Sequence, residues 1–209
     1  LLPGTTTIIG KFKNSGALIH WAWKQGMDGI DYRETRDQAG EQGTSVHYLA
    51  ESYIKKWSYE EPTDEKVIKA FNKFKEWWDN IGDVKIIWTE KQMVSSKYLY
   101  GGCPDLLVKK NGKYILIDFK TGKAIYEDTV IQLGAYGQLI KETDNIDIDK
   151  AIIVRLPKDN SKLEIKEFSK KDLKLGFAQF KLFRKGWDNH AEIEKLFTKN
   201  KRSKKYVNR

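Results

Sequence analysis

Two acids and a lysine carry the strongest chemical signal in this sequence. Asn111-Gly112 separates two apolar-rich runs, and a type I′ turn needs positive φ at both central residues, a demand these two residue types meet. A two-residue loop pairs Lys110 with Lys113, and counting outward from there sets Asp105 opposite Asp118. Side chains alternate along a strand, so Asp118, Lys120, Leu107 and Leu116 share one face, and Leu106, Val108, Ile115, Ile117 and Phe119 take the other. Opposed Cβ atoms stand ~4.5–5.5 Å apart, where two ionised carboxylates repel and one takes up a proton unless a cation bridges them. Carboxylate oxygens, completed by waters and phosphate oxygens, describe a Mg²⁺ site, with Mn²⁺ as substitute, better than a zinc site. Lys120 stands beside that position, where an ammonium can hold a phosphate oxygen or an attacking water. Ordinary strand-end acids with a lysine partner remain the alternative, and a bulge between 105 and 110 would shift the pairing.

The elements that position these residues follow from periodicity. Thr5-Thr6-Thr7 can cap a first helix, and residues 14–29 read as helical with Leu18, Trp21 and Trp23 toward the core. A long helical pattern covers 35–57, with Val46, Leu49, Ala50, Tyr53 and Ile54 recurring at three-to-four spacing. Thr63, followed by Asp64 and Glu65, opens another helix to about Asn80, with a stripe of Val67, Ile68, Phe71, Phe74, Trp77 and Trp78. Beyond Gly82 the pattern is β: 84–90, 92–96, 106–110 and 113–119, with Gly101-Gly102 at a turn or a close approach. A helix over 126–141 and strands near 151–156 and 162–168 follow. Ser169, with Asp172 three residues on, starts a last helix that presents Leu173, Phe177, Phe180, Phe183 and Trp187 on one face. The order predicts a single α/β domain over 1–198, with a central mixed β-sheet flanked by α-helices. It divides into a helical N-terminal segment over 1–80, a core over 84–141 and C-terminal strands and helix over 151–198, ahead of a basic tail 199–209.

At the acid pair the sequence resembles the RecB-like branch of the PD-(D/E)xK nucleases. Pro104-Asp105 followed by Asp118-Phe119-Lys120 matches the signature. Gly43-Thr44-Ser45-Val46-His47, Thr89-Glu90, Asp118-Phe119-Lys120-Thr121-Gly122-Lys123 and Gln132-Leu133-Gly134-Ala135-Tyr136 resemble the family's flanking segments, in order, over about residues 35–141. The resemblance implies a restriction-endonuclease-like core. It assigns metal binding to His47, Asp105, Asp118 and the Phe119 backbone carbonyl, with Glu90 as a nearby catalytic acid for water or a second metal beside Asp105, Asp118 and Lys120. It further implies a metal-dependent DNA exonuclease leaving 5′-phosphates, of a kind used in recombination, repair or phage DNA processing. A bacterial or phage-infected host cytoplasm is the implied compartment.

Gln132 and Tyr136, spaced i,i+4, lie one above the other on a helix face, able to contact a phosphate or base or to hydrogen-bond each other. Gly134 and Gly137 permit close approach of that helix backbone. Thr121 and Lys123 suit DNA phosphate contacts. His20 and His190 lack any such context and read as structural, and Cys103 reads as a small buried residue. A structure-specific endonuclease and a non-catalytic nucleic-acid-binding protein are the competing readings.

Composition narrows the classes. The chain has 209 residues, 40% hydrophobic and 32% charged with 7 Trp, which fits a folded domain and neither a disordered nor a fibrous chain. A single cysteine excludes an intrachain disulfide or a cysteine-built iron–sulfur cluster and suits a reducing compartment. No apolar run approaches the ~18 residues that span a bilayer. Lys195, Lys199, Lys201, Arg202, Lys204, Lys205 and Arg209 face no acid beyond residue 195, and removing those seven from the chain's +9 leaves +2 for the rest. Basicity concentrated at the C-terminus suits a polyanion such as single- or double-stranded DNA, or a solvated tail. Neither reading fixes the oligomeric state.

Overall fold

The structure is a computed structural model that describes residues 2–204, with side chains through Thr198. The elements are α1 (Thr5–Phe12), α2 (Gly16–Met27), α3 (Tyr32–Lys55), α4 (Glu65–Asp79), β1 (Lys85–Thr89), β2 (Met93–Ser95), β3 (Tyr100–Gly102), β4 (Leu106–Lys110), β5 (Lys113–Lys120), α5 (Asp128–Asp144), β6 (Lys150–Arg155), β7 (Glu164–Ser169) and α6 (Lys170–Lys204). The expected basic tail falls on residues whose side chains lie outside those described. Among the described residues no helix is long and apolar enough to cross a membrane.

Asn111 and Gly112 have φ of 50° and 77°, as a type I′ turn requires, and β4 pairs with β5 from Lys110↔Lys113 to Leu106↔Ile117. The register is the one counted from the turn, with no bulge in β4. The irregularity lies in β1 instead, between Ile86 and Trp88. Strands β1-β4-β5-β6-β7 form one mixed sheet in which only β5 and β6 run parallel, joined through α5, while β2 and β3 make a separate small ribbon. Phe119 and Lys120, at the carboxyl end of β5, pair with Val154 and Arg155 on β6. In open α/β sheets this end of the strands is where ligands bind.

Alternation along β4 and β5 splits the core in two. Leu107 and Leu116 pack with α1, α5 and α6, whereas Leu106, Val108, Ile115, Ile117 and Phe119 pack with α3 and α4. Burying these apolar chains stabilises by roughly 1.5–3 kcal/mol each, so the sheet that carries the site is supported from both faces. Trp77 and Trp78 belong to this core, ranged around Phe74, with Trp77 also edge-on to Phe119. Asp64, rather than Thr63, caps α4, accepting from the Lys66 and Val67 amides.

The first helices depart from the expected pattern. Gly4 is the N-cap of α1 with no side-chain cap, and Thr5, inside the helix, donates to the Gly101 carbonyl at 2.9 Å. No residue of α2 is buried: Leu18 and Trp23 are 56% and 60% exposed, and Trp21 is half-buried against Tyr32. An amphipathic pattern reports which residues would face a partner, and within this chain α2 meets little besides α3.

Candidate active site

β5 delivers Asp118, Phe119 and Lys120 as its last three residues, and Asp105 stands one position ahead of β4, just past the last paired residues Leu106 and Ile117. The Phe119 amide donates to Asp105 Oδ2 at 2.7 Å, locking the acid to the peptide edge of β5. Asp105 and Asp118 are both buried, and the Asp118 charge is felt at the Asp105 carboxyl. Lys120 Nζ lies 2.7 Å from Asp118 Oδ2, an ion-pair distance off the hydrogen-bonding direction, which leaves that buried oxygen without a hydrogen bond. A buried acceptor needs such a counter-charge, and the Lys120 ammonium supplies it.

The opposite wall comes from α3 and the end of β1. His47 Nδ1 is 3.4 Å from Glu90 Oε1 and 3.5 Å from Asp105 Oδ2. His47, Glu90 and Asp105 offer donor atoms all within 4.8 Å of one another. Neighbouring ligands of a six-coordinate ion bound at ~2.1 Å lie about 3 Å apart, so the donors need to contract only slightly to hold a divalent cation. Two carboxylates and an imidazole form a donor set that a divalent metal ion can use. Glu90 thus stands among the converging donors, where the resemblance sets it at the margin, and Asp118 stands beside them, held by Lys120. Glu90 adopts φ of 42°, the left-handed region that a non-glycine residue rarely occupies, while its amide donates to the Asp105 carbonyl at 2.7 Å. That turn is what aims the carboxylate at His47 instead of along the strand.

On the α5 wall, Lys120 Nζ donates to Gln132 Oε1 at 2.9 Å, and Gln132 Nε2 donates to Tyr136 Oη at 2.9 Å. The i,i+4 pair therefore bonds to itself and to the lysine at once. Burial alone would lower the Lys120 pKa, but Asp118 and Asp105 outweigh it and hold it above the ordinary lysine value. Lys120 is accordingly a fixed ammonium rather than a base. Thr121 is half-buried, its hydroxyl 3.1 Å from where a Cβ on Gly43 would sit, and Lys123 is exposed. The Phe119 ring is buried between Phe74 and Trp77, edge-on to His47.

Cys103 departs from the expectation of an inert core residue: it is half-buried and its thiol points at Glu90 Oε2, 3.5 Å away. Burial, then Glu90, pushes that thiol up to about 12, so it remains a neutral donor. Its place two residues before Asp105 is the signal that sequence offers for this role. His20 stacks on Trp23 and His190 lies 2.9 Å from Glu194, both away from these donors.

The cluster's protons set a test. Burial, then the Asp118 carboxylate, pushes the Asp105 carboxyl up to about 7, so the folded state holds that proton more tightly than the unfolded chain and stability falls as pH rises from about 4 to about 7. Burial would lower His47, but Asp105, Glu90 and Asp118 outweigh it and raise the imidazole to about 9. Its stabilising contribution is complete below the unfolded value near 6.5 and is lost as pH rises through about 9. A bound divalent cation displaces these protons. The thermal midpoint in chelator should therefore drop across this range, and the rise given by Mg²⁺ or Mn²⁺ should be larger near pH 8 than near pH 6. A metal-induced rise that ignores pH would remove His47 and Asp105 from the ligand set.

No family model matches this chain, and no curated protein does. Among solved structures it is similar to the protein described as SSO0001, with 15% identity and a TM-score of 0.31. The similarity covers 56% of this chain and spans 60% of that one.

Proposed function

We propose that this chain is a metal-dependent deoxyribonuclease built on a restriction-endonuclease-like core, acting as an exonuclease that leaves 5′-phosphates. The reading rests above all on the buried Asp105 and Asp118 at the open end of the β4–β5 hairpin, with Lys120 on Asp118 and with His47 and Glu90 closing on Asp105. A divalent cation held by His47, Glu90 and Asp105 would supply charge against the scissile phosphate and acidity to a water. Asp118 borders that position and holds the Lys120 ammonium. Lys120 orients the attacking water or a phosphate oxygen and stabilises the charge that develops as the phosphodiester bond breaks. Gln132 fixes the ammonium, and Tyr136 fixes Gln132. Thr121 and Lys123 would take flanking phosphates at the mouth.

The exonuclease reading comes from the resemblance to recombination and repair exonucleases. End-labelled linear DNA, single- and double-stranded, should be degraded with Mg²⁺ and spared in chelator, whereas covalently closed circles should persist. Rapid cutting of both circles would replace exonuclease by endonuclease. Salt-sensitive binding without products would leave only a nucleic-acid-binding protein.

A further inference from the structure

Helix α6 buries one side and leaves the other uncovered. Leu173, Phe177, Phe180, Phe183 and Trp187 pack into the core beside α5 and α1. On the outer side, Leu175, Leu182, Ile193 and Leu196 are 70%, 64%, 50% and 63% exposed, and Ala178 and Asn189 are exposed with them. At 3.6 residues per turn these six positions fall within about 60° of arc, a narrow seam about 32 Å long. Leu175, Leu182, Asn189 and Leu196 recur at intervals of seven, the spacing that keeps a seam facing one partner helix.

We propose that two copies of this chain pair antiparallel through α6. The seam is symmetric about a midpoint between Lys185 and Gly186. With that point on a two-fold axis, Leu175 meets the partner's Leu196, the small Ala178 meets the partner's Ile193, and Leu182 meets the partner's Asn189. Every seam position thereby finds a counterpart, which is what an isologous interface requires. The charges alongside choose the orientation. One flank carries Lys174, Lys181 and Lys185 in its first half and Asp188 and Glu192 in its second, all exposed, with Asp188 also paired to Arg184 and Glu192 to Lys195 within the chain. In an antiparallel pair the same flanks meet, so Lys181 falls between the partner's Asp188 and the partner's Glu192. A parallel pair would set that flank against Gln179, Gly186 and His190, which supply no opposite charge.

The test is solution mass. Light scattering or sedimentation of the wild type from about 1 to 100 µM, the range a small interface needs, should show twice the 24.3 kDa of the chain. Leu182→Asp should give a folded monomer whose thermal midpoint equals that of the wild type diluted below its dimer range, because Leu182 is 64% exposed within one chain. Lys181→Glu sets acid against acid and should weaken the pair about tenfold or more, and adding Glu192→Lys to the same chain should restore it. A mixture of Ala178→Cys and Ile193→Cys chains should cross-link on oxidation while neither does alone, with wild type and its Cys103 as control. A wild-type monomer throughout, a dimer indifferent to Leu182→Asp, or cross-linking of either cysteine variant with itself in place of the mixture would overturn the proposal.

Discussion

Lys120→Ala should lower the proposed Mg²⁺-dependent DNA cleavage by roughly 100- to 1,000-fold and leave DNA binding in chelator intact. The magnitude is what loss of one preorganised charge beside a developing anion costs. Asp118→Ala gives a similar loss, because it frees the ammonium that Asp118 holds at 2.7 Å. Lys120→Arg does not rescue: the single Nζ reaches both Asp118 and Gln132 Oε1, and a planar guanidinium cannot occupy that point. Removing the lysine also strands a buried carboxylate, at a cost of about 3–5 kcal/mol. Each variant is therefore assayed below its own thermal midpoint. Cleavage at wild-type rate by folded Lys120→Ala and Asp118→Ala, still dependent on Mg²⁺, would eliminate the proposed mechanism.

What the sequence discloses about this site depends on how local each determinant is. The register from Lys110↔Lys113 to Leu106↔Ile117, which brings Asp105 to the level of β5's last residues, is legible because a two-residue turn and strict alternation fix it within a single hairpin. Glu90 is not legible in the same way. Its approach to His47 depends on a left-handed residue at the end of β1 and on the packing of α3 across the sheet, and neither leaves a periodic mark. The Gln132 and Tyr136 bond follows from i,i+4 spacing, but the further link to Lys120 needs α5 to lie over the end of β5. The apolar pattern of α2 misleads for a related reason, since hydrophobic spacing carries no statement of whether a partner is present in the same chain.

Gly134→Ala should destabilise the protein by about 3 kcal/mol or more, although alanine in the middle of a helix normally gains up to ~1 kcal/mol over glycine. A Cβ on Gly134 would stand 2.3 Å from the Phe177 amide nitrogen and 2.6 Å from the Leu173 carbonyl oxygen. The facing Gly176 is as confined, a Cβ there meeting the Val130 carbonyl at 2.1 Å. These neighbours are backbone of α5 and α6, so they cannot rotate aside and the helices must separate; the clash outweighs the propensity gain severalfold. Gly137, one turn along α5, has nothing within 4 Å of such a Cβ, so it permits no close approach, and Gly137→Ala should stabilise slightly. Urea midpoints for the two variants should therefore move in opposite directions, and equal midpoints would mean that α5 and α6 are not in backbone contact. Separation of the helices would also carry Gln132, two residues from Gly134, away from Lys120, which it now meets at 2.9 Å. In the folded fraction of Gly134→Ala cleavage should fall while Gly137→Ala keeps the wild-type rate, tying the packing of two glycines to the placement of one ammonium.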